Sequence, residues 1–378
     1  MNGPKASSPA TNIYRQLSRR IDKLPVPYPE TASGVELRLL QALFTPAEAE
    51  IALSLSALAE PVAVIQRRVN GIDEKELEAL LSGLVAKGAI SAGITRVGKR
   101  RVRTYGLAPL VVGMFEFQVD KLTPEYVKDF HEYMDEGFRE SIMGARTGQM
   151  RTVPIRAELS SARSVAPYND IRSYVAEHPG PFGVINCVCR QSAEVMGEAC
   201  TTSSSHETCL MIGHVPGHAR RLDREGVLEI LDRAEREGHV LQPQNSQTPA
   251  FICCCCTDCC EVLRNARKLP RPADAMPTAF RAQVDESLCT GCRVCVKRCP
   301  MEAISTVERR ATVNEGRCIG CGLCASTCPE SAIDLMQMEG RRRTPRNNTA
   351  IYLSMYADRR GLLGIAGIAI RKVLGLKV

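Results

Sequence analysis

The chain has no tryptophan, and aromatic residues make up only 4% of its 378 positions. That scarcity argues against large stacking platforms for nucleic-acid bases. No stretch reaches the ~20 consecutive apolar residues of a membrane span. The best candidate, Gly361 to Ile370, is about half that length and runs into Arg371 and Lys372. No glycine-rich phosphate loop follows a strand: Gly361, Gly364 and Gly367 have helix-face spacing, so nothing supports bound flavin, nicotinamide or ATP. Met1 to Arg20 is polar and basic and lacks the apolar core of a secretory signal. Cysteine is missing altogether before Cys187, yet eighteen cysteines crowd between Cys187 and Cys328.

Cysteine-rich chains are disulfide scaffolds or metal proteins. A scaffold needs an oxidising compartment, and adjacent cysteines such as Cys253 to Cys256 make a poor disulfide framework. The expectation is therefore reduced thiols, a cytoplasmic location and commitment to metal.

The most specific pattern is a duplicated run. Cys289-x2-Cys292-x2-Cys295-x3-Cys299-Pro300 is followed by Cys318-x2-Cys321-x2-Cys324-x3-Cys328-Pro329. The x2 spacing wraps three thiolates around one site while backbone N–H groups point at the sulfurs, and Gly291, Gly320 and Gly322 permit the turns. A pair of four-cysteine zinc sites is the rival reading. The run, with flanking Val284, Ile304, Val313 and Ile333, resembles the bacterial two-[4Fe–4S] ferredoxins. That resemblance implies a first cluster on Cys289, Cys292, Cys295 and Cys328, and a second on Cys299, Cys318, Cys321 and Cys324. It also implies single-electron transfer with a redox protein partner.

The other ten cysteines form a spread set (Cys187, Cys189, Cys200, Cys209) and a dense one from Cys253 to Cys260. Adjacent side chains point in different directions, so the dense set cannot all face one centre. Candidate further ligands are Cys187, Cys189, Cys200, Cys209, Cys253, Cys255, Cys256, Cys259 and Cys260. One or two further iron–sulfur clusters, a cluster with an open iron site, zinc, or inert buried thiols all fit. Cys200-x5-His206-x2-Cys209 also has ligand-like spacing, although a single loop histidine is more often a surface residue. No residue is identified as catalytic.

The fold expected is α+β and multidomain. Residues 1–33, with alternating Pro25, Pro27 and Pro29, read as a flexible arm carrying at most one short helix around Ile13 to Leu24. Residues 34–112 read as a winged-helix-like domain: helices from Val35, from Pro46 to Leu58, from Pro61 to Val69 and after Asp73, then a hairpin turning near Gly98-Lys99. Its last helix carries Asp73, Glu74, Glu76 and Glu78, which would repel phosphates, whereas the wing carries Arg96, Lys99, Arg100, Arg101 and Arg103. A docking role is therefore favoured over DNA binding. A helical connector over 113–181, with a helix from Pro124 to Phe138 and a strand from Pro154 to Leu159, leads to a Cys-rich α/β middle domain over 182–272. There a strand from Gly183 to Val188 carries Cys187 towards Cys189. The ferredoxin-like domain covers 278–340. A tail over 341–378 follows, with nine Lys/Arg against Asp358 and an apolar helix from Leu362 to Leu376 that offers a partner or a membrane surface a contact. The whole layout is similar to a group of ferredoxin-type iron–sulfur proteins of anaerobic bacteria. The functional expectation is an electron-transfer protein or subunit, with a redox-sensing DNA-binding regulator or a reductase with an active cluster in the middle domain as alternatives.

Overall fold

Local capping signals set many of the helix boundaries. Thr45 and Glu48 close a reciprocal capping box on the Pro46–Leu53 helix, with Pro46 in its first turn. Asp73 accepts the Glu76 N–H to start Glu74–Lys87, and left-handed Gly88 ends it. The computed structural model describes residues 9–156, 165–338, 343–373 and 376–377. The chain divides into two units, Met1–Ile142 with Met355–Val378, and Met143–Ser354.

In the first unit, helices Pro9–Ile21, Val35–Leu43, Pro46–Leu53, Val62–Gln66 and Glu74–Lys87 accompany a three-stranded antiparallel sheet. Its strands β1 (Glu60–Pro61), β2 (Ile90–Val97) and β3 (Arg100–Leu107) lie in the order β1-β3-β2. Leu77, Leu81 and Leu84 form the buried face of the Glu74–Lys87 helix. The helix opened by Pro46 stops short of the expected Leu58, because the Ser56 carbonyl leaves helical geometry to accept the Leu107 N–H.

The expected flexible arm is corrected over its described part. Leu17, Ile21, Leu24, Val26 and Tyr28 are all buried. Glu36, itself fully buried, gathers Arg15 at 2.5 Å, the Thr31 amide at 3.2 Å and the Thr31 hydroxyl. The Tyr28 hydroxyl donates to the Glu36 carbonyl at 2.6 Å. The prolines space the chain without freeing it.

Farther on, the helix begun at Pro124 runs to Tyr133 and continues as a wider turn to Phe138. The strand expected from Pro154 is not formed over its described residues: Val153 makes one isolated bridge to Leu241, and 157–164 lie outside the described residues. The C-terminal helix begins earlier than expected, at Asn348, and reaches Val373 with a non-helical break at Gly361. Among the described residues no helix is long and apolar enough to cross a membrane.

The second unit is built on an antiparallel sheet of β4 (Phe182–Asn186), β5 (Glu207–Ile212), β6 (Arg220–Leu222), β7 (Val240–Pro243) and β8 (Phe251–Cys255), ordered β6-β4-β5-β8-β7. Thr208, Leu210 and Ile212 alternate onto a buried face of β5, and Cys209 faces the other way. Leu210 and Ile212 share an apolar core with Val227, Ile230, Leu231 and Ala234 of the Arg224–Glu237 helix. The strand expected to run on to Val188 ends at Asn186, where the β4–β5 register shifts; Cys187 then caps a helix, Val188–Val195, that periodicity did not reveal.

Strands β9 (Phe280–Val284), β10 (Ile304–Val307), β11 (Arg310–Val313) and β12 (Ile333–Gln337) form two small antiparallel pairs, β9 with β12 and β10 with β11. The segment repeats at a constant offset of 29 residues, so Cys289 answers to Cys318 and Cys299 to Cys328. Met301, Ala303, Ile319 and Leu323 pack in the same core as Leu231 and Leu241. The Cys-rich and ferredoxin-like segments thus share one hydrophobic core instead of standing as separate bodies.

Candidate metal centres

Each cysteine run supplies a loop, a short turn and a departing strand. One cavity is lined by Cys289, Cys292 and Cys295 of the first run and Cys328 of the second. The other is lined by Cys318, Cys321 and Cys324 of the second run and Cys299 of the first. Ala282, Ile304 and Leu335 wall one cavity, and Ala311 and Ile333 the other. Backbone amides aim at the sulfurs in matched pairs. Ala311 donates to Cys289 at 3.4 Å and Ala282 to Cys318 at 3.5 Å. Ala332 donates to Cys328 at 3.3 Å and Ala303 to Cys299 at 3.2 Å. Burial pushes the Cys321 and Cys324 thiols up, a penalty on bare thiolates that a bound cation would reverse. Four sulfurs per cavity, apolar walls and N–H donors to sulfur fit the requirements of a thiolate-ligated iron–sulfur cluster.

In the middle segment the pleat of β8 sorts the dense cysteines. Cys253 and Cys255 point to one face, and Cys254 points to the other, where it is 2% exposed and packed in the apolar core. Burial pushes the Cys254 thiol up to about 12, as for an inert core residue.

Six thiols form a connected row on the other face. Cys187 contacts Cys189, which contacts Cys260. Cys260 contacts Cys255, which contacts Cys253, and the Cys253 sulfur lies 4.0 Å from that of Cys209. Cys187 and Cys260 each begin a helix, Val188–Val195 and Glu261–Arg267. Hydrogen bonds from Cys189 and Cys255, joined by the Leu263 and Val262 amides, hold the Cys260 thiol well below its ordinary range. Gln242 donates to the same sulfur at 3.7 Å.

A second group gathers Cys200, Cys256, Cys259 and Asp258. A hydrogen bond from Cys259, with the nearby Arg190 guanidinium, brings Cys256 down to about 6. Arg190 is 1% exposed and reaches the Ser205 carbonyl and His239 Nε2, the latter at 3.1 Å. Since arginine can only donate, Nε2 accepts and the His239 proton sits on Nδ1. Burial, reinforced by the Arg190 charge, lowers His239 to about 3.

The structure therefore divides the nine candidate cysteines by place: Cys187, Cys189, Cys209, Cys253, Cys255 and Cys260 together, and Cys200, Cys256 and Cys259 together. The Cys200–His206–Cys209 spacing gathers no common site. Cys200 and Cys209 belong to different groups, and half-buried His206 lies 3.5 Å from Glu194. Asp258, Arg190 and Gln242 were not anticipated. The signal for Asp258 was its position inside Cys256-Thr257-Asp258-Cys259; Gln242 carried none.

No curated protein and no solved structure matches the chain. Residues 281–329, however, match the model of the 4Fe-4S dicluster domain family. With the cysteine-lined cavities, that match supports 4Fe–4S cofactor binding and an iron–sulfur electron-transfer role for this part of the chain.

Proposed function

We propose that this protein is an electron carrier, or the electron-transferring subunit of an oxidoreductase, that holds two [4Fe–4S] clusters by crossed ligation. Cys289, Cys292, Cys295 and Cys328 would hold one, and Cys299, Cys318, Cys321 and Cys324 the other. The observation that carries this reading is the mixed lining of each cavity, three cysteines from one run and the fourth from its repeat. When bound, the clusters supply one-electron chemistry. The chain's own residues donate amide hydrogen bonds to the sulfurs and exclude water with alanine, isoleucine and leucine walls, both of which tune reduction potential. The six-thiol row would add a further centre in the same unit.

Anaerobic iron and sulfide quantitation with EPR tests the proposal. About eight irons per chain are expected from the C-terminal pair, with more if the six-thiol row is loaded. Fewer than about eight, with a spectrally silent Cys289→Ser, would overturn it.

For the first unit we propose a winged-helix-like docking module. The β1-β3-β2 sheet beside the Glu74–Lys87 helix supports that topology, and the acidic first turn of that helix disfavours a duplex as its partner. The full chain should show no salt-dependent binding to duplex DNA at low salt. Binding that disappears on substituting exposed Arg100 and Arg101 with alanine would replace docking by DNA recognition.

A further inference from the structure

The group around Asp258 differs in geometry from the cluster cavities. Its three sulfurs and one carboxylate oxygen all lie within 4.8 Å of one another. The Cys200 sulfur is 3.8 Å from that of Cys256 and 3.7 Å from Asp258 Oδ1. Thiolates bound at ~2.3 Å to one tetrahedral ion stand about 3.8 Å apart, the edge of that tetrahedron. In a cubane each thiolate holds its own iron, and the sulfurs stand much farther apart.

Asp258 is also oriented as a ligand would be. The Thr201 amide at 2.6 Å and hydroxyl at 3.0 Å donate to Oδ2, leaving Oδ1 turned toward Cys200 with the Thr202 hydroxyl at 3.3 Å. Outer donors that fix one oxygen and offer the other are the usual support of a metal-ligating carboxylate. Three thiolates and a carboxylate carry four negative charges. A divalent cation removes two, and the buried Arg190 guanidinium against Cys256 offsets another. Cys256 and Cys259 are 2% and 1% exposed, so an ion held between them would be shielded from water on their side.

We propose that Cys200, Cys256, Cys259 and Asp258 form a mononuclear tetrahedral site for a divalent metal of the zinc class, distinct from any iron–sulfur cluster. The ligands are all from the protein, as in structural sites. The ion ties the loop bearing Cys200 to the turn between β8 and the Glu261–Arg267 helix, and so fixes the turn that presents Cys255 and Cys260. This assignment goes beyond the electron-transfer reading, and iron counted in the same samples keeps the two separable.

Metal analysis of the full-length protein, purified anaerobically with zinc supplied, should find one zinc per chain beside the cluster iron. Cys200→Ser and Cys256→Ser should lose the zinc and keep the iron. Cobalt substituted for zinc should give intense sulfur-to-cobalt charge-transfer bands and tetrahedral d–d bands. In Asp258→Asn the d–d bands should shift while the charge-transfer bands persist. Thr201→Val should weaken zinc affinity about 10-fold. If Cys256→Ser does not fold, the cobalt spectra of Asp258→Asn and Cys200→Ser decide. No divalent ion beyond the cluster iron, or iron and acid-labile sulfide falling together in Cys200→Ser, would overturn the site.

Discussion

Replacing Gly320 with alanine should empty one cluster cavity and spare the other. Gly320 has φ +66°, and a Cβ there would stand 2.2 Å from the Phe280 carbonyl oxygen. Its repeat partner Gly291, φ +73°, would meet the Arg309 carbonyl oxygen at 2.1 Å. Gly322 shares the left-handed backbone at φ +76°, but its nearest neighbour is the tip of Leu335 at 3.0 Å. All three substitutions incur the left-handed cost of about 1–2 kcal/mol. Only Gly320→Ala and Gly291→Ala must also displace a backbone carbonyl by about 1 Å to restore ordinary contact. Those carbonyls belong to the first residue of β9 and the residue just before β11, strands whose Ala282 and Ala311 amides donate to Cys318 and Cys289. The combined penalty is on the order of 4 kcal/mol or more, against roughly 1–2 for Gly322→Ala, whose leucine neighbour can yield. Iron in the C-terminal pair, measured anaerobically, should fall from about eight to about four in either clashing variant and stay near eight in Gly322→Ala. Eight irons in both clashing variants would refute the close-approach argument.

Cys254→Val should leave total iron and zinc unchanged, because Cys254 lies on the face of β8 opposite Cys253 and Cys255, whereas Cys255 contacts Cys253 and Cys260 and Cys255→Ser should lower metal content; metal analysis of the two variants checks this. Glu36→Ala should destabilise the first unit by on the order of 2–3 kcal/mol and expose residues before Ser33 to protease, since Arg15, Thr31 and the chain between them lose their shared acceptor. Limited proteolysis and urea unfolding measure both effects. His239, held neutral with a folded pKa of about 3 against 6.5 when unfolded, contributes stability that is complete above pH 6.5 and is lost as pH falls toward 3. Unfolding free energies from urea titrations between pH 7 and 5 should decline by up to about 1.4 kcal/mol per pH unit from this group, and less steeply in His239→Gln.

The ferredoxin-like segment was readable because the cysteines that line its cavities are close in sequence and their spacing is itself the geometry. The middle cysteines were not, since Cys187 and Cys189 meet Cys260 only after the sheet brings β4, β5 and β8 side by side. The sequence showed that adjacent side chains in the dense set must diverge, but only the pleat of β8 shows that Cys254 is the one turned away from Cys253 and Cys255. It could not foretell that Cys200 joins Cys256, because that meeting depends on a loop held by Asp258 and Thr201. The N-terminal misreading has a similar cause. Alternating prolines suggested a flexible arm, yet Leu24, Val26 and Tyr28, each directly before a proline, form a second alternation, of buried apolar side chains. Glu36, a carboxylate with 0% exposure, was invisible as an anchor because its partners lie on both sides of those prolines.

The exchange of the final cysteine between the two halves bears on how such a protein is made. A ribosome releasing this chain emits Cys289, Cys292 and Cys295 early, but their cavity lacks its fourth wall until Cys328. The other cavity waits from Cys299 until Cys324. Both therefore close within the last few residues of the repeat, almost in the same moment of synthesis. On the proposed ligation, a truncated or stalled product would present only partial thiol sets to the assembly machinery, and loading would itself report that the whole segment has been translated.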